Sequence, residues 1–188
     1  EIKLILDLDS TVISSLHPWK KQPKGMVSYD MDGEYIVYER PHLQEFLDYI
    51  FANFTVSVWT AASKDYALYI VEKILLQKPE RNLGFVLFDY HVEIAEKGGL
   101  SIKDLALVWE TFPEYTRENT IIIDDNEDVF GPQFCNSYPI PAFEADSPDA
   151  QDDHELLKLM NKLKLVKAGN CLNDPLMTKE TVDKAIRK

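Results

Sequence analysis

The sequence predicts an α/β fold in which helices flank a central parallel β-sheet. Four short apolar runs rich in β-branched residues indicate buried strands, at residues 2–6, 54–59, 85–88 and 120–123. Near-continuous apolar runs of this length are typical of parallel strands covered on both faces. Helical patterns lie between these runs, and strands alternating with helices favour an open α/β sheet.

The helices are predicted from apolar residues spaced three or four apart. One follows Arg40-Pro41, and another follows Ser63, a candidate N-cap. A third helix is marked by Leu105, Val108 and Trp109, and a fourth by the leucines of residues 156–163.

Several stretches depart from the alternation of strand and helix. Residues 14–39 hold a Lys-rich loop and then alternating residues around Asp32-Gly33, which predicts a β-hairpin inserted after the first strand as a flap over the sheet's edge. Residues 137–140 indicate an edge strand, and residues 144–155 a solvated acidic loop. One domain is expected over residues 1–166, followed by a tail, 167–188, with a short helix from Thr178 to Arg187.

Composition limits the classes of function. The formal net charge of −12 disfavours a general nucleic-acid binder, which relies on Lys and Arg. Cys135 and Cys171 are far apart and form no CxxC motif, so we expect free thiols in a reducing, intracellular compartment, the nucleus or cytoplasm. No apolar stretch is long enough to span a membrane, and no signal peptide is visible. The four histidines show no spacing typical of a ligand pair or triad.

Polar residues follow three of the predicted strands. Asp7 and Asp9 follow the first, Thr60-Ala61-Ala62-Ser63 the second and Asp124-Asp125-Asn126 the fourth. Ligands of open α/β sheets bind beyond the carboxyl ends of the strands, so these groups are expected to converge. Two carboxylates spaced two apart in a strand share one side and repel, which suits a bound cation or a shared proton.

Each piece also has a purely structural interpretation. Asp7-Leu8-Asp9-Ser10 fits a polar turn capping a helix, and Thr60 fits a helix-entry cap. Lys103 fits a solvent-facing lysine, and Asp124-Asp125 a charged turn after a strand. The functional interpretation gains its specificity from all the positions together.

The ordered set of motifs resembles a known family. Asp7-Leu8-Asp9-Ser10-Thr11 is similar to the DxDx(T/V) signature of the haloacid dehalogenase superfamily. Within it, the chain resembles the NLI-interacting-factor-like phosphatases, which act on the C-terminal domain (CTD) of RNA polymerase II. The resemblance covers about residues 1–165 and continues through Arg40-Pro41-His42, Trp59-Thr60-Ala61-Ala62, Ile102-Lys103-Asp104-Leu105 and residues 123–130.

The resemblance implies a haloacid dehalogenase-like fold and a role for each matched residue. Asp7 is the expected nucleophile, which forms an aspartyl-phosphate, and Asp9 the general acid and base. Mg²⁺ is the expected cofactor, held by Asp7, Asp125 and the backbone carbonyl of Asp9. Thr60, Ala61 and Lys103 are expected to hold the phosphoryl oxygens.

Supporting and substrate-binding residues complete the prediction. Asp124 is expected to orient Lys103 or a water, Thr11 to steady the Asp7–Asp9 loop, and Asn126 to support the site. An apolar pocket under the flap is predicted from Val12, Leu16, Trp19, Ile36 and Tyr66. Trp19 equally fits packing of the flap.

Three functions follow from these expectations. The first is a Mg²⁺-dependent phosphatase for phosphoserine and phosphothreonine in proteins, with CTD-like peptides as substrates. The second is a non-catalytic adaptor on the same fold. The third is a phosphatase for nucleic-acid ends or small metabolites, which the acidic net charge and the short insert disfavour. The expected partner is a phosphorylated protein, and the sequence predicts no oligomeric state.

Overall fold

The computed structural model describes residues 1–171 of the chain. Its elements follow in the order β1 (Lys3–Leu6), β2 (Ile13–Leu16), β3 (Ser28–Met31), β4 (Tyr35–Glu39), α1 (Leu43–Asn53), β5 (Thr55–Trp59), α2 (Lys64–Ile70), β6 (Leu83–Leu87), α3 (Asp89–Lys97), α4 (Leu105–Thr111), β7 (Thr120–Asp124), α5 (Glu127–Phe130), β8 (Ser137–Pro139) and α6 (Glu155–Leu163). A π-helical segment, Val71–Leu75, continues α2, and 3-10 turns span Gly131–Asn136 and Ala150–Asp152.

The central sheet has five strands in the order β6-β5-β1-β7-β8, and all of its pairs are parallel. β1 lies in the middle, with Leu4 paired to Val56 on one side and to Ile121 on the other. The predicted α/β fold and parallel sheet are confirmed. The carboxyl ends of β1, β5 and β7 therefore meet at one edge of the sheet, where the chain continues into the polar segments.

Each face of the sheet is covered by its own set of helices. Leu4 and Leu6 of β1 lie in a core with residues of α1, α2 and α6, whereas Ile5 lies in a second core with residues of α3 and α4. This division follows from the strand, because successive side chains point to opposite faces. Burial on both faces explains why the strand sequences are apolar without alternation.

The insert is a three-stranded antiparallel sheet in the order β2-β4-β3. The predicted hairpin is confirmed: Asp32 and Gly33 both have positive φ, 50° and 76°, as a tight hairpin turn between β3 and β4 requires. β2 was not predicted, because its sequence Ile-Ser-Ser-Leu is short and follows directly on the loop after β1. The insert therefore includes a strand in the part of the chain expected to be loop.

Two helices and one loop differ from the expectations. α3 and α5 were missed, since α3 buries only Val92 and Ala95 and α5 is a single turn. The acidic stretch 144–155 is not a wholly solvated loop. Within it, Asp153 forms an ion pair with the buried Arg40.

Cys135 and Cys171 form a disulfide, so the expectation of free thiols was wrong. The cysteines are 36 residues apart in the sequence, and no local motif marks such a pair. The segment after α6 returns to the turn before β7, where the Gly169 N–H donates to the Glu118 carbonyl at 2.7 Å. A reducing compartment was expected because both cysteines were expected to be free thiols. The disulfide removes that reason.

Two further predictions concern the C-terminal tail and membrane-spanning helices. The predicted helix from Thr178 to Arg187 lies outside the described residues. Among residues 1–171, no helix has the length and apolar character needed to cross a membrane. The boundary at residue 166 stays a prediction.

Candidate active site

A tight loop after β1 presents the amino-terminal acid pair. The Leu8 carbonyl accepts the N–H groups of Thr11, Val12 and Ile13 at 3.2, 3.0 and 3.3 Å. Ser10 adopts a left-handed conformation with φ 64°, which turns the chain sharply. This loop keeps Asp7 and Asp9 at the carboxyl edge of the sheet.

Asp7 is buried, with 6% of its surface exposed, and both carboxylate oxygens have donors. Lys103 Nζ donates to Oδ1 at 2.8 Å, and Thr11 Oγ1 donates to Oδ2 at 2.9 Å. A carboxylate buried without such partners would be strongly unfavourable. Thr11 therefore fixes the orientation of the Asp7 carboxylate itself, in addition to closing the loop.

Lys103 is 3% exposed and lies between two carboxylates. Its Nζ donates to Asp7 at 2.8 Å and to Asp124 at 2.7 Å. Burial alone would lower the pKa of Lys103, but the charges of Asp7 and Asp124 outweigh it and raise the pKa above its ordinary value. The interpretation of Lys103 as a solvent-facing lysine is excluded.

The loop that carries Lys103 is held by Gln133. Lys103 has a left-handed φ of 49°. Gln133 Nε2 donates to the Lys103 carbonyl at 3.0 Å, and its Oε1 accepts the Leu105 N–H at 3.0 Å. This role of Gln133 could not be predicted from the sequence, because Gln133 lies 30 residues from Lys103 along the chain.

Asp7, Asp124 and Asp125 form an acidic cluster, with one oxygen of each within 4.8 Å of the others. Burial, and next the charge of Asp7, raise the pKa of Asp124 to about 7. Burial, and next contact with Asp7, raise the pKa of Asp125 to about 6. The single ammonium of Lys103 does not balance three carboxylates.

This donor set fits a hard divalent cation. All the candidate ligands are oxygens, which suit Mg²⁺. Each carboxylate oxygen can accept at two positions, so the bonds from Lys103 and Thr11 leave Asp7 able to bind an ion. Asp124 is the most occupied of the three, because Lys103 bonds one oxygen and the Asn126 N–H donates to the other at 2.9 Å. Asp7 and Asp125 are therefore the better placed ligands.

Asp9 lies beside the cluster and contacts Tyr66 instead of Lys103. The Tyr66 hydroxyl donates to Asp9 Oδ1 at 2.5 Å and also contacts Ser15 Oγ at 2.5 Å. Burial raises the pKa of Asp9, the Tyr66 hydrogen bond lowers it in part, and the charge of Asp7 raises it further. A carboxyl group with a raised pKa is suited to donating a proton.

Thr60 and Ala61 complete the site at the end of β5. Thr60 is 1% exposed, and its hydroxyl accepts the Ala62 N–H at 3.1 Å. Ser63, not Thr60, caps α2, because its side chain accepts the Tyr66 N–H at 3.3 Å. Asn126 caps α5 by accepting the Asp128 N–H at 3.0 Å.

All the predicted catalytic, phosphate-binding and metal-binding residues line one cavity, together with Asp124 and Asn126. Its volume is about 420 Å³, and it is lined by Asp7, Asp9, Thr60, Ala61, Ala62, Lys103, Asp124, Asp125, Asn126 and Glu127. Thr11 lies behind Asp7 and is fully buried. The convergence predicted from the strand ends is therefore present in the fold.

The predicted substrate pocket is largely misplaced. Tyr66 lines a second cavity of about 760 Å³ beside the first. Val12 is fully buried in the main core, and Leu16 and Ile36 belong to a small core around Phe143. Trp19 is 78% exposed and stacks on His17. Because β2 was missed, its pairing of Leu16 with Ile36, away from the cavity, could not be foreseen.

Arg40 is a buried residue whose role the sequence did not reveal. It is 1% exposed, and Nη1 donates to the Thr11 carbonyl at 2.9 Å. Its Nε and Nη2 each donate to Asp153 at 2.9 Å, and Nη2 also donates to the Pro141 carbonyl at 2.7 Å. Arg40 thus ties the Asp7–Asp9 loop to the segment after β8.

His42 and His154 also meet, with ring nitrogens 3.3 Å apart, although they are 112 residues apart in the sequence. The histidine spacing had predicted no such pair. The contact lies at the starts of α1 and α6, whose N-cap residues these histidines are. It is separate from the cavity that holds Asp7.

Comparison with known proteins points to one family. The profile of the NLI interacting factor-like phosphatases matches residues 2–174. A CTD phosphatase-like protein, 355R, of Invertebrate iridescent virus 6 is 37% identical over 175 residues, which cover 85% of this chain and 96% of that protein. Its counterpart in Invertebrate iridescent virus 3 is 34% identical, covering 87% of this chain and 96% of that protein.

A solved structure shares the fold. The fission yeast RNA polymerase II CTD phosphatase Fcp1, bound to beryllium fluoride, aligns with a TM-score of 0.56 at 21% identity over 86% of this chain. The present chain spans about half of that protein, 49%. The family resemblance seen in the motifs is confirmed, and the chain belongs to the NLI interacting factor-like phosphatases.

Proposed function

We propose that this protein is a Mg²⁺-dependent phosphatase that hydrolyses phosphoserine and phosphothreonine in protein segments. Membership of the family supports a protein phosphatase. The observation that carries the proposal is the environment of Asp7, a buried carboxylate held by Lys103 and Thr11 with Asp9 and Asp125 beside it. A structural role alone would not require so many buried charged side chains, Asp7, Lys103 and Asp124, around one cavity.

Asp7 is the proposed nucleophile. One carboxylate oxygen attacks phosphorus, the bond from phosphorus to the serine or threonine oxygen breaks, and an aspartyl-phosphate forms. Lys103 and Thr11 hold the carboxylate in one orientation, which reduces the entropic cost of the attack.

Asp9 is the proposed general acid and base. In the first step it gives its proton to the departing serine or threonine oxygen. In the second it takes a proton from the water that attacks phosphorus, the bond from phosphorus to the Asp7 oxygen breaks, and inorganic phosphate leaves. Its raised pKa favours the protonated form needed at the start, and the bond from Tyr66 fixes its position.

Charge on the phosphoryl oxygens is offset by Lys103 and the end of β5. The Lys103 ammonium lies against Asp7, and Thr60 and Ala61 line the same cavity. Donors held in place before the reaction stabilise charge that develops in the transition state. Asp7, Asp125 and the Asp9 carbonyl would hold Mg²⁺, which supplies further positive charge toward the phosphoryl group.

The proposed substrate is a phosphorylated segment of a protein. The only insert in the described chain near the site is the small β2–β4 sheet, which leaves the neighbouring cavity of about 760 Å³ open. The relatives' names point to the CTD of RNA polymerase II as the first substrate to test. The net charge of −12 argues against nucleic-acid ends.

The test is a panel of phosphopeptides, including polymerase heptads phosphorylated at different serines, assayed with Mg²⁺. Asp7→Asn should lower kcat/KM by about 10³-fold or more, because it removes the nucleophile. Asp146→Asn, an exposed substitution of the same type, is the matched control and should retain full activity. Undiminished activity of the Asp7→Asn protein would refute the proposal.

A further inference from the structure

A second cavity, of about 760 Å³, opens beside the catalytic one and shares Asp9 and Ala62 with it. One wall comes from the β3–β4 hairpin and the other from the first two turns of α2. The Tyr69 hydroxyl joins the two walls by donating to the Asp30 carbonyl at 3.0 Å. This second cavity is called the channel below. A peptide whose phosphate lies at Asp7 can place its neighbouring residues in the channel.

The charged residues that line this channel are all acidic. Asp32 and Glu34 on the hairpin and Asp65 on α2 line it, and all three are exposed. No lysine or arginine is among the described residues that line the cavity. Like charges gathered around one concave surface repel anionic segments and attract cationic ones.

The channel also has aromatic walls. The Tyr35 and Tyr66 rings meet edge to face at a centroid distance of 5.9 Å, and Tyr69 and Met31 lie on the same lining. Arginine and lysine carry an apolar stem and a cationic head. Their stems suit the tyrosine and methionine surface, and their heads are attracted by the ring faces and by the carboxylates.

These carboxylates do not form a second metal site. In the part of the chain that the structure describes, the one group of three or more metal-ligating side chains close enough for an ion is Asp7, Asp124 and Asp125. Asp32, Glu34 and Asp65 are spread along the walls of the channel. A side chain that reaches across the channel fits them better than a single ion.

We propose that this cavity selects substrates with an arginine or lysine close to the phosphorylated residue. The inference rests on the proposed function, because Asp9 is both the proposed acid and part of the channel wall. It adds a substrate class, basic phosphopeptides, to the chemistry of the site. Asp32, Glu34 and Asp65 are the specificity-determining residues.

The experiment compares serine phosphopeptides that carry Arg, Lys, Ala or Glu at each position up to four residues from the phosphoserine. The wild-type protein is assayed for kcat/KM, and the Asp7→Asn protein for Kd by fluorescence anisotropy. At the best position, arginine should be favoured over alanine by about five- to tenfold at low ionic strength. This ratio should fall toward one at about 0.5 M salt.

The triple variant Asp32→Asn, Glu34→Gln, Asp65→Asn should reduce the ratio of arginine to alanine peptides to about one. Asparagine suits position 32, because this residue has a φ of 50°. The matched control is Glu72→Gln, Glu80→Gln, Glu96→Gln, which changes the net charge equally at exposed positions outside the cavity and should keep the wild-type ratio. If the triple variant fails to fold, Asp65→Asn alone should lower the ratio.

The two proposals can fail separately. Tighter binding of arginine peptides without turnover of any peptide would refute the phosphatase and support the channel. Turnover with equal values for arginine and alanine peptides would overturn the channel alone. A preference for arginine that survives the triple variant would also overturn it.

Discussion

Lys103 stabilises the acidic cluster of the site in the folded protein. Its ammonium is 2.8 Å from Asp7 and 2.7 Å from Asp124, and all three side chains are buried. The ammonium is shared by two of the carboxylates and offsets one negative charge, which leaves negative charge in the cluster for a cation. Burying these charged side chains lowers the stability of the folded state, and the proposed chemistry needs the same side chains.

Tyr66 and Tyr69 both line the larger cavity, but their hydroxyl groups have different partners. The Tyr66 hydroxyl donates to Asp9, whereas the Tyr69 hydroxyl donates to the Asp30 carbonyl. Tyr66→Phe should lower kcat on a phosphopeptide by about tenfold, since it removes the hydrogen bond that holds Asp9 in position. Tyr69→Phe is the matched control, with an expected change under about twofold. Equal effects would show that Tyr66 does not position Asp9.

Site residues that follow a strand could be predicted from the sequence. Asp7, Asp9, Thr60 and Asp125 each follow an apolar run and could be assigned to one edge of the sheet. Arg40 had no such marker, because its partner Asp153 is 113 residues away. Long-range partners of this kind are determined by the tertiary fold, and one sequence does not reveal them.

Among the elements, the loop after β1 depends on contacts made far from the active site. Arg40 reaches the Thr11 carbonyl of that loop, and its other donors bind Asp153 and the Pro141 carbonyl. The segment between β8 and α6 thereby supports the loop that carries Asp7. These elements are far apart in the sequence, so their contact could not be predicted from it.

Loss of Arg40 should therefore destabilise the protein. Arg40→Met should lower the free energy of unfolding by about 3–5 kcal/mol, because it leaves Asp153 without its buried partner. The measurement is urea unfolding followed by circular dichroism. Asp152→Asn, an exposed neighbour, is the control and should change stability by less than about 0.5 kcal/mol. A similar small effect for both variants would contradict this role of Arg40.

Strands and helices with a clear hydrophobic pattern could be predicted from the sequence, and those without one could not. Strands of the central sheet are buried on both faces and gave strong signals, and the Asp32-Gly33 turn marked the hairpin. β2 and α5 have four residues each, and α3 buries two, so they left no periodic pattern. The substrate-pocket prediction failed for the same reason, since it depended on the unrecognised β2.

The acidic cluster links the stability of the protein to pH and, in the proposed function, to Mg²⁺ as well. The pKa of Asp125 is raised to about 6 and that of Asp124 to about 7, against about 3.9 for an unfolded aspartate. Between pH 4 and 7 the metal-free folded state thus holds protons that the unfolded state has released. The contribution of this cluster to stability must fall as pH rises through that window.

Mg²⁺ should therefore raise the melting temperature more at pH 7.5 than at pH 5. In the proposed site the ion would bind the deprotonated carboxylates, which are abundant only at the higher pH. Thermal melts with and without Mg²⁺ at each pH give the difference directly, and Asp125→Asn should reduce it. A Mg²⁺-induced shift that is the same at both pH values would contradict the assignment of the cluster as the metal site.

Covalent labelling would show whether Asp7 carries the phosphoryl group during turnover. The protein would be mixed with a phosphopeptide bearing ³²P in the presence of Mg²⁺ and quenched in acid within the first turnover. We expect a label on the protein that hydroxylamine releases, that maps to the peptide containing Asp7, and that is absent from the Asp7→Asn protein. A label on the Asp7→Asn protein, or its absence from a wild-type enzyme that is turning over, would contradict it.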